Sequence, residues 1–243
     1  MPVRKISTSL FLFSAVVIGA VSQDAPPRTI VGGQLASLTE QLKQHHIELT
    51  EAGLLKALGS SDGQVRYLAA LRLAEEREMD AIPAIEKALT AEKAPETRIN
   101  IAVALVQLGQ EKGASELTAD CKDPGLPGYL RARAMMYMLP REDKACFRAA
   151  LDLLRDDPDS RGQVLSLLPQ YRDASKEESD EILEATTRCL ADQSAAVRIQ
   201  ASITLGTLAN PSAIGDLQRA IATEGDEVVR SQMQRSLQQL KHR

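Results

Sequence analysis

A short pattern occurs six times along this chain of 243 residues, at a nearly constant interval. Each copy has an arginine, an apolar residue three positions after it and a second apolar residue seven positions after it. The arginines, which follow one another at 30 to 37 residues, are Arg66, Arg98, Arg131, Arg161, Arg198 and Arg230. That interval is the length of two helices and two turns, so each copy is predicted to form one helical hairpin.

The apolar positions in each copy follow the period of an α-helix and predict one buried stripe on the second helix of the hairpin. Helix-start signals fall between the stripes. Ser175 with Glu178 has the spacing of a capping box, and Asp157-Pro158 places a capping side chain before a proline. Aromatic residues make up only 3% of the chain, which suits closely packed helices. We therefore predict an all-α fold, an α-solenoid of about six helical hairpins with an N-terminal capping helix over 35–47.

The six copies resemble the HEAT repeat family, in particular its Asp-x-x-x-Arg variety, which is similar to the PBS-lyase-like HEAT repeats. The acid four residues before the arginine is present in three copies and replaced in the others by Ala94, Pro127 and Ser194. The resemblance covers about 49–240. It implies hairpins stacked into a solenoid whose second helices line a concave face.

The repeat arginines are expected to be structural, because each one lies at the start of a second helix, three residues before a core position. In three copies a carboxylate four residues earlier is expected to accept hydrogen bonds from the guanidinium and from turn amides, tying the hairpin together. These carboxylates are Asp62, Asp157 and Asp226.

The N-terminal segment is organised differently. Arg4 and Lys5 precede an uncharged stretch with an apolar centre from Leu10 to Val21, which predicts a secretory signal over 1–22 with a mature start at Gln23. The alternative is an uncleaved signal anchor, because about 17 apolar residues could span a tilted bilayer. A flexible leader is expected over 23–34, followed by the HEAT-repeat solenoid domain over 35–243. The chain is thus expected to be exported, either periplasmic or secreted.

The charge distribution argues against a nucleic-acid partner. The formal net charge of the whole chain is −4, and loss of the predicted signal makes it −6. Acidic and basic residues alternate along the helices without forming a basic stripe, which binding to a phosphate backbone would need. No membrane span is expected once the signal is cleaved.

The face of the second helices opposite the core carries the candidate binding residues. The positions two and nine residues after each arginine lie two helical turns apart on one face and are rich in amide side chains, which suit recognition of a peptide backbone. The candidates at these positions are Asn100, Gln107, Arg133, Gln163, Gln170, Gln200 and Gln232, and they are accompanied by Tyr137. The alternative interpretation is that these glutamines and asparagines are soluble helix-forming residues without a binding role.

Nothing in the sequence predicts catalysis, a metal or a cofactor. His45 and His46 are adjacent, so on a helix they point about 100° apart and do not form a metal pair. No nucleophile or phosphate-loop motif is present. We expect a non-enzymatic scaffold that binds a protein. A structural subunit of an envelope complex is the alternative, and a lyase or chaperone for open-chain tetrapyrroles follows only from the family resemblance.

The three cysteines lie in apolar helical stretches. Cys121 and Cys189 occupy similar repeat positions about 20 Å apart, if hairpins stack at about 10 Å, which is too far for a disulfide. Together with Cys146 they are expected to be buried small hydrophobic residues.

Overall fold

The computed structural model describes residues 37–138, 144–171 and 174–242, and in these ranges it contains thirteen α-helices and no strand. Helix α1 (Leu38–Gln44) precedes six helical hairpins, so the predicted all-α solenoid with a capping helix is confirmed. The hairpins, numbered first to sixth, are α2 (Glu51–Ala57) with α3 (Gly63–Glu75), α4 (Ile82–Ala91) with α5 (Pro95–Gln107), α6 (Glu111–Lys122) with α7 (Gly128–Met138), α8 (Phe147–Asp156) with α9 (Arg161–Leu167), α10 (Lys176–Arg188) with α11 (Ala195–Leu208), and α12 (Ile214–Thr223) with α13 (Glu227–Lys241). Short 3-10 turns occupy Met79–Ala81, Lys144–Cys146, Leu168–Gln170, Cys189–Ala191 and Pro211–Ala213.

Capping side chains set several helix starts. Ser175 and Glu178 form the predicted capping box at the start of α10. The Asp157-Pro158 prediction is wrong, because α9 begins only at Arg161. The Asp157 carboxylate instead accepts a hydrogen bond from the hydroxyl of Ser160 at 2.9 Å and so closes the turn that precedes the helix.

The predicted stripe of each second helix forms the core. Of the residues three and seven positions after the repeat arginines, all but Leu237 are at most 1% exposed. The first of the two positions is alanine in three hairpins, where its small side chain lets neighbouring helices approach closely. The core is therefore a continuous row of side chains along the stack, in which each hairpin buries its apolar face against the next.

A proline shortens α9 and ties the fourth hairpin to the fifth. Pro169 has no backbone N–H, so the carbonyl of Leu165, four residues earlier, loses its helical donor. The hydroxyl of Thr204 in α11 donates to that carbonyl at 2.8 Å, and both groups are buried. The side chain of one hairpin thus replaces the hydrogen bond that the proline removed from its neighbour.

The acids four residues before the arginines do not bind the guanidinium groups, so that part of the prediction is wrong. Asp62 instead accepts a hydrogen bond from the backbone N–H of Gln64 at 2.8 Å. Asp226 accepts from the backbone N–H groups of Val228 and Val229 at 2.8 and 3.2 Å. A side chain that caps the N-terminus of its own helix is directed at the backbone donors there and away from the arginine.

The arginines pair instead with acids of the following hairpin. Four such pairs, here called the arginine–carboxylate ladder, connect successive hairpins: Arg66 with Glu92, Arg98 with Asp120, Arg161 with Asp192, and Arg198 with Glu224. The side chains of the four acids are only 3 to 7% exposed. Each pair is therefore a largely desolvated, charge-assisted bond between hairpins.

Acids of the ladder serve two hairpins at once. The carboxylate of Glu224 accepts from Arg198 of the fifth hairpin at 2.7 and 3.0 Å, while its backbone carbonyl accepts from Arg230 of its own hairpin. In the same way, Asp192 binds Arg161 through its carboxylate at 2.7 Å and Arg198 through its carbonyl at 2.9 Å. The ladder thus joins the turn inside one hairpin to the start of the second helix in the preceding one.

The environments of the ladder acids shift their pKa values in different directions. The hydrogen bonds from Arg198 and from the N–H of Asp226 hold the pKa of Glu224 below its ordinary value of 4.5. Burial raises the pKa of Asp120 above its ordinary value of 3.8, although Arg98 acts in the opposite direction. Only one oxygen of Asp120 has a hydrogen-bond partner among the described residues, and the other is buried. Glu224 therefore carries a better-satisfied charge than Asp120.

A disulfide joins Cys121, at the end of α6, to Cys146, in the turn before α8, with the two Cα atoms 5.9 Å apart. Both residues are buried, as was expected, but they form a disulfide that the sequence did not predict. They occupy different positions in their repeats, so comparison of equivalent positions could not reveal their proximity. Cys189 is the buried free thiol that was expected.

We predict that Arg198→Ala lowers the free energy of unfolding by about 2 kcal/mol, because it leaves the Glu224 carboxylate in a desolvated site without its cation. Arg188→Ala is the matched control. Arg188 pairs with Glu184, but the two side chains are 64% and 72% exposed, so its loss should change stability by less than about 0.5 kcal/mol. Urea denaturation of the two variants measures the difference, and equal losses would contradict it.

We also predict that part of the stability is lost in acid through Glu224. Its folded pKa lies below 4.5, so its contribution is fully present above pH 4.5 and declines as the pH falls below that value towards the folded pKa. Urea denaturation between pH 6 and pH 3 measures this. Glu224→Gln should start less stable at pH 6 and lose less on acidification, whereas parallel pH profiles would contradict the assignment.

Candidate partner-binding surface

The second helices share one outward face. The positions two before, two after, five after and nine after each repeat arginine fall within an arc of about 60° on an α-helix. We call the face that these positions form on α3, α5, α7, α9, α11 and α13 the second-helix surface. It lies on the side of each helix away from the core stripe, although in the first and second hairpins Leu68, Asn100 and Val103 occupy these positions and are buried.

The positions nine residues after the arginines form its most accessible row. All of them that the structure describes are exposed: Glu75, Gln107, Gln170, Thr207 and Gln239. The sixth position, Pro140, lies outside the described residues. Gln107 is thus placed on this face where a partner could reach its amide, whereas Gln170 is exposed but lies in the 3-10 turn that follows α9.

The positions two residues after the arginines are less exposed than a surface row would be. Arg133, Gln163, Gln200 and Gln232 are half-buried. The reason is that second helices of neighbouring hairpins pack side by side, so these side chains lie beside the crevices between helices. Their polar ends define a row of crevice amides that is interrupted by one arginine.

Asn100 is not on the surface, which corrects the prediction. Asn100 is only 4% exposed. Its side-chain oxygen accepts a hydrogen bond from the guanidinium of Arg133 at 2.8 Å. Arg133 also pairs with Glu96 at 3.0 Å. Asn100 therefore joins the second hairpin to the third and cannot itself contact a partner. Tyr137 is half-buried and packs against the core.

Sequence reasoning missed an apolar row on this surface. Large apolar side chains lie two residues before or five residues after the arginine, and they are Tyr129 (52% exposed), Met136 (38%), Ile203 (37%) and Val228 (66%). The two positions are seven residues apart and so share one face. The same two positions, compared among the copies, show that the row comes from the third, fifth and sixth hairpins and is interrupted in the fourth by Asp159 and Ser166.

The charges on the second-helix surface are partly neutralised within it. Arg133 is matched by Glu96, and the crevice glutamines carry no charge. Exposed charges remain towards its ends, on Glu75 and Arg235, and in the fourth hairpin on Asp159. Most of the centre of the surface thus offers amides and apolar side chains, and its remaining charge is the single carboxylate of Asp159. This favours a peptide segment with few charges as ligand.

The chemistry available elsewhere is limited. No group of three or more His, Cys, Asp or Glu side chains that could hold a metal ion occurs in the described part of the chain. Burial raises the pKa of the Cys189 thiol, which disfavours the nucleophilic thiolate. The ring Nδ1 of His45, which follows α1, lies 3.7 Å from a carboxylate oxygen of Asp62, which precedes α3. No third side chain among the described residues completes a metal site with them.

Two surface hollows lie beside residues of the arginine–carboxylate ladder and not on the second-helix surface. One of about 490 Å³ is lined by Asp192, Arg198 and Glu224 among others, and one of about 410 Å³ by Arg161, Arg188 and Cys189 among others. Their arginines Arg161 and Arg198 are already paired with ladder acids. These hollows are therefore gaps between hairpins whose charged groups are satisfied.

Among the described residues, no helix is both long enough and apolar enough to cross a membrane. The predicted signal over 1–22 and the leader over 23–34 lie outside them. Export and the mature start at Gln23 therefore stay predictions.

Comparisons with known proteins agree with the fold. An engineered protein of known structure superposes with a TM-score of 0.52 at 18% identity, over 79% of this chain and 99% of that one. Computationally designed armadillo repeat proteins for modular peptide recognition superpose with a TM-score of 0.50 at 15% identity, over 78% and 99%. The complex of CpcE and CpcF of phycocyanin lyase from Nostoc sp. gives a TM-score of 0.40 at 19% identity, over 88% and 100%.

Similarity at such identities shows the fold alone. No curated protein matches the chain. The family profile of HEAT repeats, however, matches residues 51–138 and 147–238, which together cover well over half of the sequence and coincide with the first to third and the fourth to sixth hairpins. The chain belongs to the HEAT repeat family.

Proposed function

We propose that this protein is an exported, non-enzymatic scaffold whose second-helix surface binds an extended segment of another protein. The observation that carries the proposal is the combination of two rows on one face, with exposed apolar side chains such as Tyr129 and Ile203 beside amides such as Gln163 and Gln200. Single exposed apolar residues are ordinary, but an aligned set on a repeat surface is typical of binding sites.

The two rows suit different parts of an extended chain. Amide side chains can donate to peptide carbonyls and accept from peptide N–H groups, while the apolar row can take up side chains that point to one side of the segment. Hairpins stack at about 10 Å and an extended chain rises about 3.3 Å per residue, so each hairpin would contact about three residues of the ligand. Designed armadillo repeat proteins made for modular peptide recognition share this fold.

Two independent features support export. One is the sequence of Arg4 and Lys5 before an apolar stretch, which has the order of a secretory signal. The other is the disulfide between Cys121 and Cys146, since such bonds persist mainly in oxidising compartments.

A permanent structural subunit of an envelope complex is the second candidate. The same apolar row favours it, because obligate interfaces are more apolar than transient ones. Purification distinguishes the two: a permanent subunit stays with its complex at constant stoichiometry, whereas a scaffold exchanges its ligand.

We predict that Gln163→Glu combined with Gln200→Glu abolishes partner binding. The two new carboxylates would lie half-buried in the crevice row, where they cannot donate to peptide carbonyls and must be desolvated when a segment binds. The measurement is crosslinking in intact source cells, followed by purification of the protein and mass spectrometry of what is attached.

The matched control is Gln193→Glu with Gln218→Glu, which adds the same charge at exposed positions away from the second-helix surface. A discrete protein recovered with the wild type and with the control, but not with the Gln163/Gln200 variant, is the expected result. Recovery with all three, or recovery of a small molecule in place of a protein, would rule out the proposed surface.

We predict that the protein isolated from its source cells begins at Gln23 and is found outside the cytoplasm. Cell fractionation with mass spectrometry of the N-terminal peptide measures both. A chain that keeps residues 1–22 in a membrane fraction would favour the signal anchor, and one that keeps them in the cytoplasm would contradict export.

A further inference from the structure

The ladder has a gap between the third and fourth hairpins. At the other four junctions an arginine of one hairpin binds a carboxylate of the next. The corresponding arginine of the third hairpin, Arg131, donates to the backbone carbonyl of Cys121 at 3.1 Å, and no carboxylate among the described residues pairs with it. The position six residues before Arg161, which is an acid in three other hairpins, is Arg155, and the neighbouring acid Asp156 at the end of α8 pairs with Arg155.

The disulfide lies at this same junction. Cys121 belongs to the first helix of the third hairpin and Cys146 to the turn that opens the first helix of the fourth. Because Arg131 bonds to the carbonyl of Cys121, the disulfide begins at the very residue to which the unpaired arginine is attached. The sulfur bridge thus occupies the place in the stack where an ion pair is missing.

The third and fourth hairpins also pack closely against each other. A Cβ on Gly128 at the start of α7 would lie 1.6 Å from a carboxylate oxygen of Asp157, so the two hairpins approach closely there. Packing of this kind holds the second helices together but is not directional, and among the described residues Arg131 adds no charge-assisted bond to it of the kind that its equivalents form at the other junctions.

In a repeat protein the cooperativity of unfolding depends on the interfaces between neighbouring repeats, so the weakest junction decides whether the stack unfolds as one unit or as two. We propose that the Cys121–Cys146 disulfide is a covalent clamp that replaces the missing rung of the ladder and couples two blocks of three hairpins, 37–138 and 144–242, into one cooperative unit. The clamp is independent of whether the second-helix surface binds a partner.

Closing the clamp takes two electrons and two protons from the thiols of Cys121 and Cys146 and passes them to an external disulfide, which becomes a dithiol. Both cysteines are at most 1% exposed. A reductant therefore reaches the sulfurs only after the junction opens, so the clamp is persistent in the folded protein.

The experiment is pulsed hydrogen exchange with mass spectrometry along a urea titration, which reports the unfolding midpoint of each helix separately. In the oxidised wild type, peptides from α5 and α11 should lose protection at the same urea concentration. In Cys121→Ala/Cys146→Ala their midpoints should separate by more than about 0.5 M. Cys189→Ala, which removes the buried free thiol and leaves the disulfide intact, is the control and should keep coincident midpoints.

Wild type that has been unfolded, reduced, refolded and kept under a dithiol reductant tests the same point without any substitution, and its midpoints should separate like those of the alanine variant. Coincident midpoints in the variant and in the reduced wild type would overturn the proposal. Loss of protection in both blocks at zero urea would overturn it as well, because the bond would then be needed for folding of the blocks themselves and not only for their coupling.

Discussion

The structure depends on the hydrogen bonds and ion pairs that the guanidinium groups form at the start of the second helices. An arginine in this position must place five donors close to a turn where several carbonyls lack partners. Arg198 shows the solution, because it binds the carbonyls of Asp192 and Gln193 in its own hairpin and the carboxylate of Glu224 in the next. One side chain thereby fixes a turn inside a hairpin and the spacing to the neighbouring one, and its repetition sets the regular stack.

The ladder, which stabilises the stack, and the second-helix surface, which is the candidate binding site, lie on different parts of the solenoid. The charged groups that hold hairpins together lie at the helix ends, where acids such as Glu92 and Glu224 are nearly covered. The second-helix surface is left with amides and apolar side chains. Its central charge, Arg133, is used internally by Glu96 and Asn100. Apart from the contacts of Arg133 with Glu96 and Asn100, this face takes no part in the ladder, and this is the physical basis of the proposed scaffold function.

The sequence predicted the repeat, the number of hairpins and the buried stripe, because the helical period and the recurring arginine act within a single hairpin. It did not predict which acid each arginine binds, since the choice between Asp62 and Glu92 depends on where the next hairpin lies. The acids Glu92, Asp192 and Glu224, each six residues before an arginine, were a signal that could have been read. The disulfide was missed for the same reason, and Asn100 was misplaced because packing between helices buries positions that a single helix leaves open.

The central claim, that the ladder arginines pair with an acid of the following hairpin and not with the acid four residues before them, is tested most directly by two double-mutant cycles that share Arg66. One combines Arg66→Ala with Glu92→Ala and the other combines it with Asp62→Ala, with stability measured by urea denaturation. We predict a coupling energy above about 1 kcal/mol for Arg66 with Glu92 and additivity within about 0.5 kcal/mol for Arg66 with Asp62. Coupling to Asp62 with additivity for Glu92 would contradict it and restore the pairing within the hairpin.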